Sequence, residues 1–133
     1  MSTIIGADEL ARDLQRLGDN MPQVERAMLE AGGQVMAQAW QTAIDAHGFV
    51  LTGSMRDNVR PKVRKVHGSQ RAEITSLGAD SHNVRNAAKA YTLHYGTSKI
   101  PASHWIDGAE REGTGPSVDA MGRVLGEAIE SNI

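Results

Sequence analysis

Between Asn20 and His47 the apolar residues fall on two stripes at helical spacing, and this double pattern limits the fold more than any other feature of the chain. One stripe is Val24, Met28, Ala31, Val35 and Ala39. The other is Leu29, Met36, Trp40 and Ala43 or Ile44. A helix that is apolar on two sides is covered on two sides. One side is expected to face the chain's own sheet, the other a first helix or a second subunit. Asn20 reads as the N-cap, with Pro22 in the first turn, where its missing N–H costs nothing, and Gln23 closing a capping box. Gly48 reads as the left-handed stop. The element would be about 40 Å long at 1.5 Å per residue. Gly32-Gly33 in its middle costs about 1 kcal/mol per glycine relative to alanine. Either close backbone approach or a tolerated weakness accounts for the pair.

The segments around this helix are shorter. Leu10, Leu14 and Leu17 predict a helix over Ala7–Leu17, with Asp8 and Glu9 at its positive end and Gly18 closing it. After Gly48, Thr52-Gly53 marks a turn that a short helical turn follows. Val59 to His67 alternates, with Pro61 restricting it to an edge or bulged strand. His67-Gly68-Ser69-Gln70 reads as a hairpin turn, and Arg71 to Leu77 as the returning strand. Gly78 to Lys89 is polar and aperiodic and is expected to be a mobile loop. Tyr91, Leu93 and Tyr95 alternate with Thr92 and His94 and predict a third strand. A short helix follows from Trp105 and Ile106 to about Gly113. Thr114-Gly115-Pro116 is a break. Ser117 caps a last helix with Val118, Met121, Leu125 and Ile129 on one face. The fold class expected is α+β in a single domain over residues 1–133: a small, mainly antiparallel sheet with the long helix packed on one face, plus N-terminal and C-terminal helices.

Composition narrows the chemistry. There is no cysteine, which excludes disulfides, thiol nucleophiles and Cys-ligated zinc. Aromatics are 4% of the 133 residues, so the core must be built from Ala, Val, Leu, Ile and Met. The net charge of −2 argues against a dedicated nucleic-acid binder, but charge is unevenly placed. Arg56, Arg60, Lys62, Arg64, Lys65 and Arg71 cluster against Asp57 alone. From Asp107 onward, Asp107, Glu110, Glu112, Asp119, Glu127 and Glu130 face only Arg111 and Arg123. These are two solvated faces, or surfaces that complement each other between neighbouring copies. No apolar run reaches the roughly 20 residues of a membrane span. The N-terminus lacks the basic-then-apolar pattern of a signal peptide, so a soluble protein is expected.

Catalytic constellations are missing from the pattern. His47, His67, His82, His94 and His104 show no i, i+4 pair and no HExxH motif, so no metal site and no cofactor is expected. His94 and His104 flank one turn and are expected to meet as a solvated or hydrogen-bonded pair. Ser54 lacks the glycine frame of a nucleophile elbow. Gly96-Thr97-Ser98-Lys99 lacks the earlier glycine of a phosphate loop, and Pro101 opposes a helix there. Asp107, Glu110 and Glu112 read as a solvated face. Trp40 and Trp105 read as packing anchors, with an interface role the alternative for Trp105.

Two motifs carry a resemblance. Thr52-Gly53 with Met55-Arg56 is the first. Tyr95-Gly96-Thr97-Ser98-Lys99-Ile100-Pro101-Ala102, followed by Ala109-Glu110, is the second. Together with the element order they resemble the tail-completion, or head–tail joining, proteins of long-tailed bacteriophages. In that family the second motif reads aromatic-Gly-Thr-Ser-Lys-Met-Pro-Ala. This chain has His94 where the family has an acidic residue, and Ser103-His104-Trp105 where the family has Gln-Pro-Phe.

The resemblance implies a non-enzymatic virion protein at the neck, assembled in the host cytoplasm. It would form a ring, with six copies expected, between head connector or stopper proteins and the tail terminator or tail tube. It implies a partner interface at Tyr95, Gly96, Thr97, Ser98, Lys99, Ile100, Pro101 and Trp105, with no membrane partner. The basic run is the candidate lining of a lumen that DNA crosses, through Arg56, Arg60, Lys62, Arg64 and Lys65. Alternatives are a tail-terminator or connector protein of the same neck, or a small DNA-binding module.

Overall fold

A computed structural model describes residues 7–49 and 53–132. Two long antiparallel helices and one hairpin make the frame. α1 (Ala7–Ala46) is followed by the short α2 (Ser54–Asp57), the strands β1 (Val59–Val66) and β2 (Ser69–Ser76), then α3 (Asn86–Tyr95) and α4 (Trp105–Asn132). β1 and β2 form a two-stranded antiparallel sheet, with Val59 opposite Ser76 and Val66 opposite Ser69. The expected α+β class holds, with a smaller sheet and more helix than the sequence suggested.

α1 runs unbroken through Gly18, Asn20 and Pro22, and so replaces the two helices expected there. Leu10, Leu14, Leu17, Met21, Val24 and Met28 explain why. They keep one alternating four- and three-residue spacing across the supposed boundary, so a single apolar stripe continues through it. Pro22 forfeits one bond to the Gly18 carbonyl, and the turns on either side carry the helix past it. Gly48, at φ 72°, ends the helix region as expected. The Thr52 half of the Thr52-Gly53 turn lies outside the described residues; Gly53 precedes the expected helical turn, which is α2.

Both sides of α1 are covered from within the chain. A Cβ on Gly32 would sit 2.7 Å from Met121 Cγ and 3.3 Å from the Ser117 carbonyl of α4. A Cβ on Gly33 would sit 2.6 Å from Pro61 Cβ of β1. The glycine pair therefore marks close approach on two sides, and this settles the alternatives left open by the sequence. The cover on the far side from the sheet is the C-terminal helix.

α4 continues through Gly113, Thr114-Gly115 and Pro116, where a helix end and a break were expected. Thr114 Oγ1 donates to the Glu110 carbonyl at 2.6 Å within this continuous helix. The packed row of α4 is Trp105, Ala109, Gly113 and Ser117, all buried. A Cβ on Gly113 would meet Met36 Sδ at 2.8 Å and Ala39 Cβ at 2.9 Å. Ser117 is thus an interior seam residue, not a cap. Val118, expected on the inward face, is 60% exposed. Small residues four apart let the two helix axes approach, and this signal was hidden behind larger apolar neighbours.

The core gathers where the elements meet. Trp40, Ile44, Met55, Val59, Ala90, Trp105 and Ala109 are each under 5% exposed. The Trp40 and Trp105 rings cross edge to face at 5.1 Å, a favoured aromatic geometry.

Candidate functional site

The motif segment is helix, turn and helix, not strand, turn and helix. Tyr91–Tyr95 belongs to α3, so the third strand does not form. Asn86-Ala87-Ala88-Lys89-Ala90 is rich in helix formers, and Asn86, Ala90 and His94 are buried at four-residue spacing. The alternation that suggested a strand comes from Tyr91 and Tyr95, stacked at 6.3 Å on the exposed side of the helix.

Gly96 ends α3 at φ 78°, and its N–H donates to the Thr92 carbonyl at 2.8 Å. A Cβ there would lie 2.6 Å from Ala102 N and 2.7 Å from the Ile100 carbonyl oxygen. Only glycine fits this position on both counts. The turn then closes on itself. Thr97 N–H donates to the Ile100 carbonyl at 2.8 Å. Thr97 Oγ1 accepts from the N–H groups of Lys99 and Ile100 at 3.2 and 3.0 Å. Such local side-chain bonds let an irregular segment keep one shape.

The far end is fastened to α3 and the core. The Leu93 carbonyl accepts from Ser103 Oγ at 2.6 Å and from Ser103 N–H at 3.1 Å. His104 N–H donates to the His94 carbonyl at 3.1 Å, and His104 holds φ 53°. Trp105 is 1% exposed and donates Nε1–H to the Ala90 carbonyl at 3.0 Å. Trp105 therefore anchors the turn from inside and does not belong to its contact surface. The contact surface is Tyr95 at 69% exposure, Ile100 at 41%, and the exposed Thr97, Ser98, Lys99, Pro101 and Ala102.

His94 and His104 do meet, with ring centroids 5.3 Å apart. Asp107 stands 3.9 Å from His94 Nε2 and 3.9 Å from His104 Nδ1. The spacing of these three residues is that of a cation site. The hydrogen bonding opposes it. Ile106 N–H donates to His94 Nδ1 at 3.3 Å, so the neutral ring carries its proton on Nε2, toward Asp107. A ligand role for Nε2 would move that proton onto Nδ1, against the Ile106 donor. The arrangement is a clasp between α3 and the first turn of α4. His94 takes the place where the resemblance expects an acid.

The Gly78–Lys89 segment, expected to be mobile, is an ordered connection. Ala79 bridges to Arg85. Asp80 Oδ1 accepts from the N–H groups of His82 and Val84 at 2.9 and 3.0 Å, and Oδ2 accepts from Lys89 Nζ at 2.8 Å. Lys89 above all, with the two N–H groups, holds the Asp80 carboxyl well below its usual range, at about 2. Asn86, fully buried, donates Nδ2–H to the Leu77 carbonyl at 2.8 Å and to Ser54 Oγ at 3.0 Å. It ties α2, the end of β2 and the start of α3 together. A lone Asn after a polar stretch gave no sequence signal for that role.

The basic run divides. Arg56, on α2, is paired with Asp45 and Asp57 at 3.0 and 2.9 Å and stands apart from the others. Arg60, Lys62 and Arg64 share the outer face of the hairpin with Arg71, against Glu73, which pairs with Arg64 and Arg71 at 3.0 and 2.8 Å. Lys65 is exposed beside the hairpin tip. Among the described residues, no helix is long and apolar enough to cross a membrane. No family model, no curated protein and no solved structure matches this chain.

Proposed function

We propose that the protein is a structural component of the head–tail junction of a long-tailed bacteriophage. It completes the tail so that it docks on the DNA-filled head, and it works as a ring without enzymatic chemistry. The observation that carries this reading is the Tyr95–Ala102 turn, the segment on which the resemblance rests. Its backbone is closed by its own hydrogen bonds and fastened to the core at both ends, while Tyr95, Ser98, Lys99 and Ile100 stand in solvent. A preorganised, exposed turn loses little entropy on docking. It suits a contact made once, between preassembled head and tail. The partners in this reading are head connector or stopper proteins on one side and tail terminator or tube proteins on the other.

Deleting the gene from its resident phage tests the proposal by electron microscopy of lysates. DNA-filled heads beside separate tails of normal length are expected. Abnormally long tails would move the protein to the terminator position. Intact, infectious virions would overturn the reading.

A second reading is favoured by the outer hairpin face, where Arg60, Lys62, Arg64 and Arg71 outnumber Glu73. The isolated protein would then bind duplex DNA with affinity falling steeply with salt. In a ring, the same face would line the path of the passing genome. Normal infectivity after reversing Arg60, Lys62 and Arg64 would remove that role.

A further inference from the structure

We infer that the cleft between the hairpin and α4 binds an alkylguanidinium, the chemistry of an arginine side chain, through Glu110, Asp107, Tyr91 and Tyr95. The site shares Tyr95 with the docking turn but does not depend on the head–tail reading. The cleft has a volume of about 650 Å³ and is lined from α1, β2, α3 and α4. Leu29 and Met36 of α1, Ile74 of β2 and Met121 of α4 give it apolar walls. Apolar walls with a few convergent polar groups are the common make-up of a ligand site.

The polar groups at the mouth select a cation. Asp107 and Glu110 line the cleft from α4 and are exposed. Among the described residues, no lysine or arginine lines it. Asp107 is approached by His94 and His104, but the Glu110 carboxylate has no ion-pair partner among the described residues. Tyr91 and Tyr95 line the same cleft from α3, with rings 19° from parallel, and are 42% and 69% exposed. An aromatic face attracts a cation as a carboxylate does. A planar guanidinium uses both, stacking on the ring and forking to the carboxylate, whereas an ammonium is only a point charge.

The floor of the cleft adds an independent requirement. Trp40 and Ser117 line it at 3% and 8% exposure. Trp40 Nε1 and Ser117 Oγ are buried without a hydrogen-bond partner among the described residues. Trp105, whose ring crosses that of Trp40, has its Nε1–H bonded to the Ala90 carbonyl. Buried donors left unpaired are costly and few in folded proteins. A ligand with an oxygen acceptor at one end and a guanidinium at the other meets both needs, as the amide and side chain of an arginine do.

The two indoles supply the readout. Titrating isotope-labelled protein with Nα-acetyl-arginine methylamide is expected to move the Trp40 indole N–H resonance, and to move that of Trp105 less. The norleucine counterpart, with the same amides and no charge, should bind at least about tenfold more weakly. Glu110→Gln should weaken the arginine probe at least about tenfold. Glu112→Gln, at an exposed acid outside the lining, should leave binding unchanged. Both glutamates are exposed, so an otherwise unchanged amide spectrum shows that the fold survives. Sedimentation separates the two sources of a guanidinium. A self-associated protein that the probe takes apart identifies an arginine of a second copy; any other behaviour identifies a separate ligand. No binding of the arginine probe, an unmoved Trp40 resonance, equal binding of the norleucine probe, or wild-type binding by Glu110→Gln would each overturn the inference. These readings use the purified protein alone, so failure here leaves the head–tail proposal to its own test.

Discussion

The Tyr95–Trp105 turn and the N-terminal arm of α1 reverse the usual relation between regularity and attachment. The turn has no repeating structure, yet the N–H groups of Thr97, Lys99 and Ile100 are bonded within it, and those of Ser103 and His104 to carbonyls of α3. Trp105 then ties it to the core. The arm is a regular helix, yet Leu10 and Leu14 face solvent. Backbone hydrogen bonds alone hold an isolated helical stretch weakly, because most helix stability in proteins comes from the packed face. Fixed shape follows from what a segment is attached to, not from its regularity. The two segments accordingly differ in kind: the turn presents a fixed surface, and the arm an apolar stripe left half-exposed.

Trp105→Ala should break the turn's side of this comparison most severely. It removes a side chain 1% exposed, its edge-to-face contact with Trp40 and its bond to the Ala90 carbonyl. A loss of about 3–5 kcal/mol is expected in urea denaturation. Gly96→Val should come next. Its Cβ would enter the space of Ala102 N and the Ile100 carbonyl at a positive φ. The expected cost is about 2–3 kcal/mol, with amide exchange quickening through residues 97–103 and not in the arm.

Asp80 extends the comparison to the second irregular segment. Its carboxyl is held at about 2, below an ordinary value of 3.8. A depressed carboxylate contributes stability that is fully present above its unfolded pKa. That stability is lost as pH falls through the folded value, here between about 4 and about 2. Asp80→Asn should lower stability at pH 7 and flatten that part of the acid-denaturation profile. The smallest effect belongs to the arm. Leu14→Ala should change monomer stability by about 0.5 kcal/mol, because about half of Leu14 remains exposed.

Legibility in the sequence followed how local each cause is. The hairpin was readable because Pro61, the alternating valines and His67-Gly68 act within a few residues. Gly48 and the helical turn after Gly53 were readable for the same reason. The two-sided character of the long helix was readable from its stripes. The boundary at Gly18–Pro22 misled because cap-forming residues stand where the apolar stripe, carried across by Met21, keeps the helix continuous. The break at Gly115-Pro116 misled likewise, because Ala109, Gly113 and Ser117 matter only once α1 lies against them. Tyr91 and Tyr95 imitated a strand because exposed residues four apart also fit a period of two. The site's chemistry was half visible. The Gly96–Pro101 turn stood out by its residues, whereas the His94 clasp and the Asn86 tie join elements through contacts that no local pattern encodes.

The proposed docking contact between tail and head lies on the exposed side of the fixed turn, at Tyr95 and Ser98. Tyr95→Ala with Ser98→Glu alters that side and leaves the turn's own hydrogen bonds in place. Introduced into the resident phage, this pair should leave the purified protein's melting temperature near wild type while lysates show filled heads and unjoined tails. Normal yields of infectious particles from the same variant would contradict the claim.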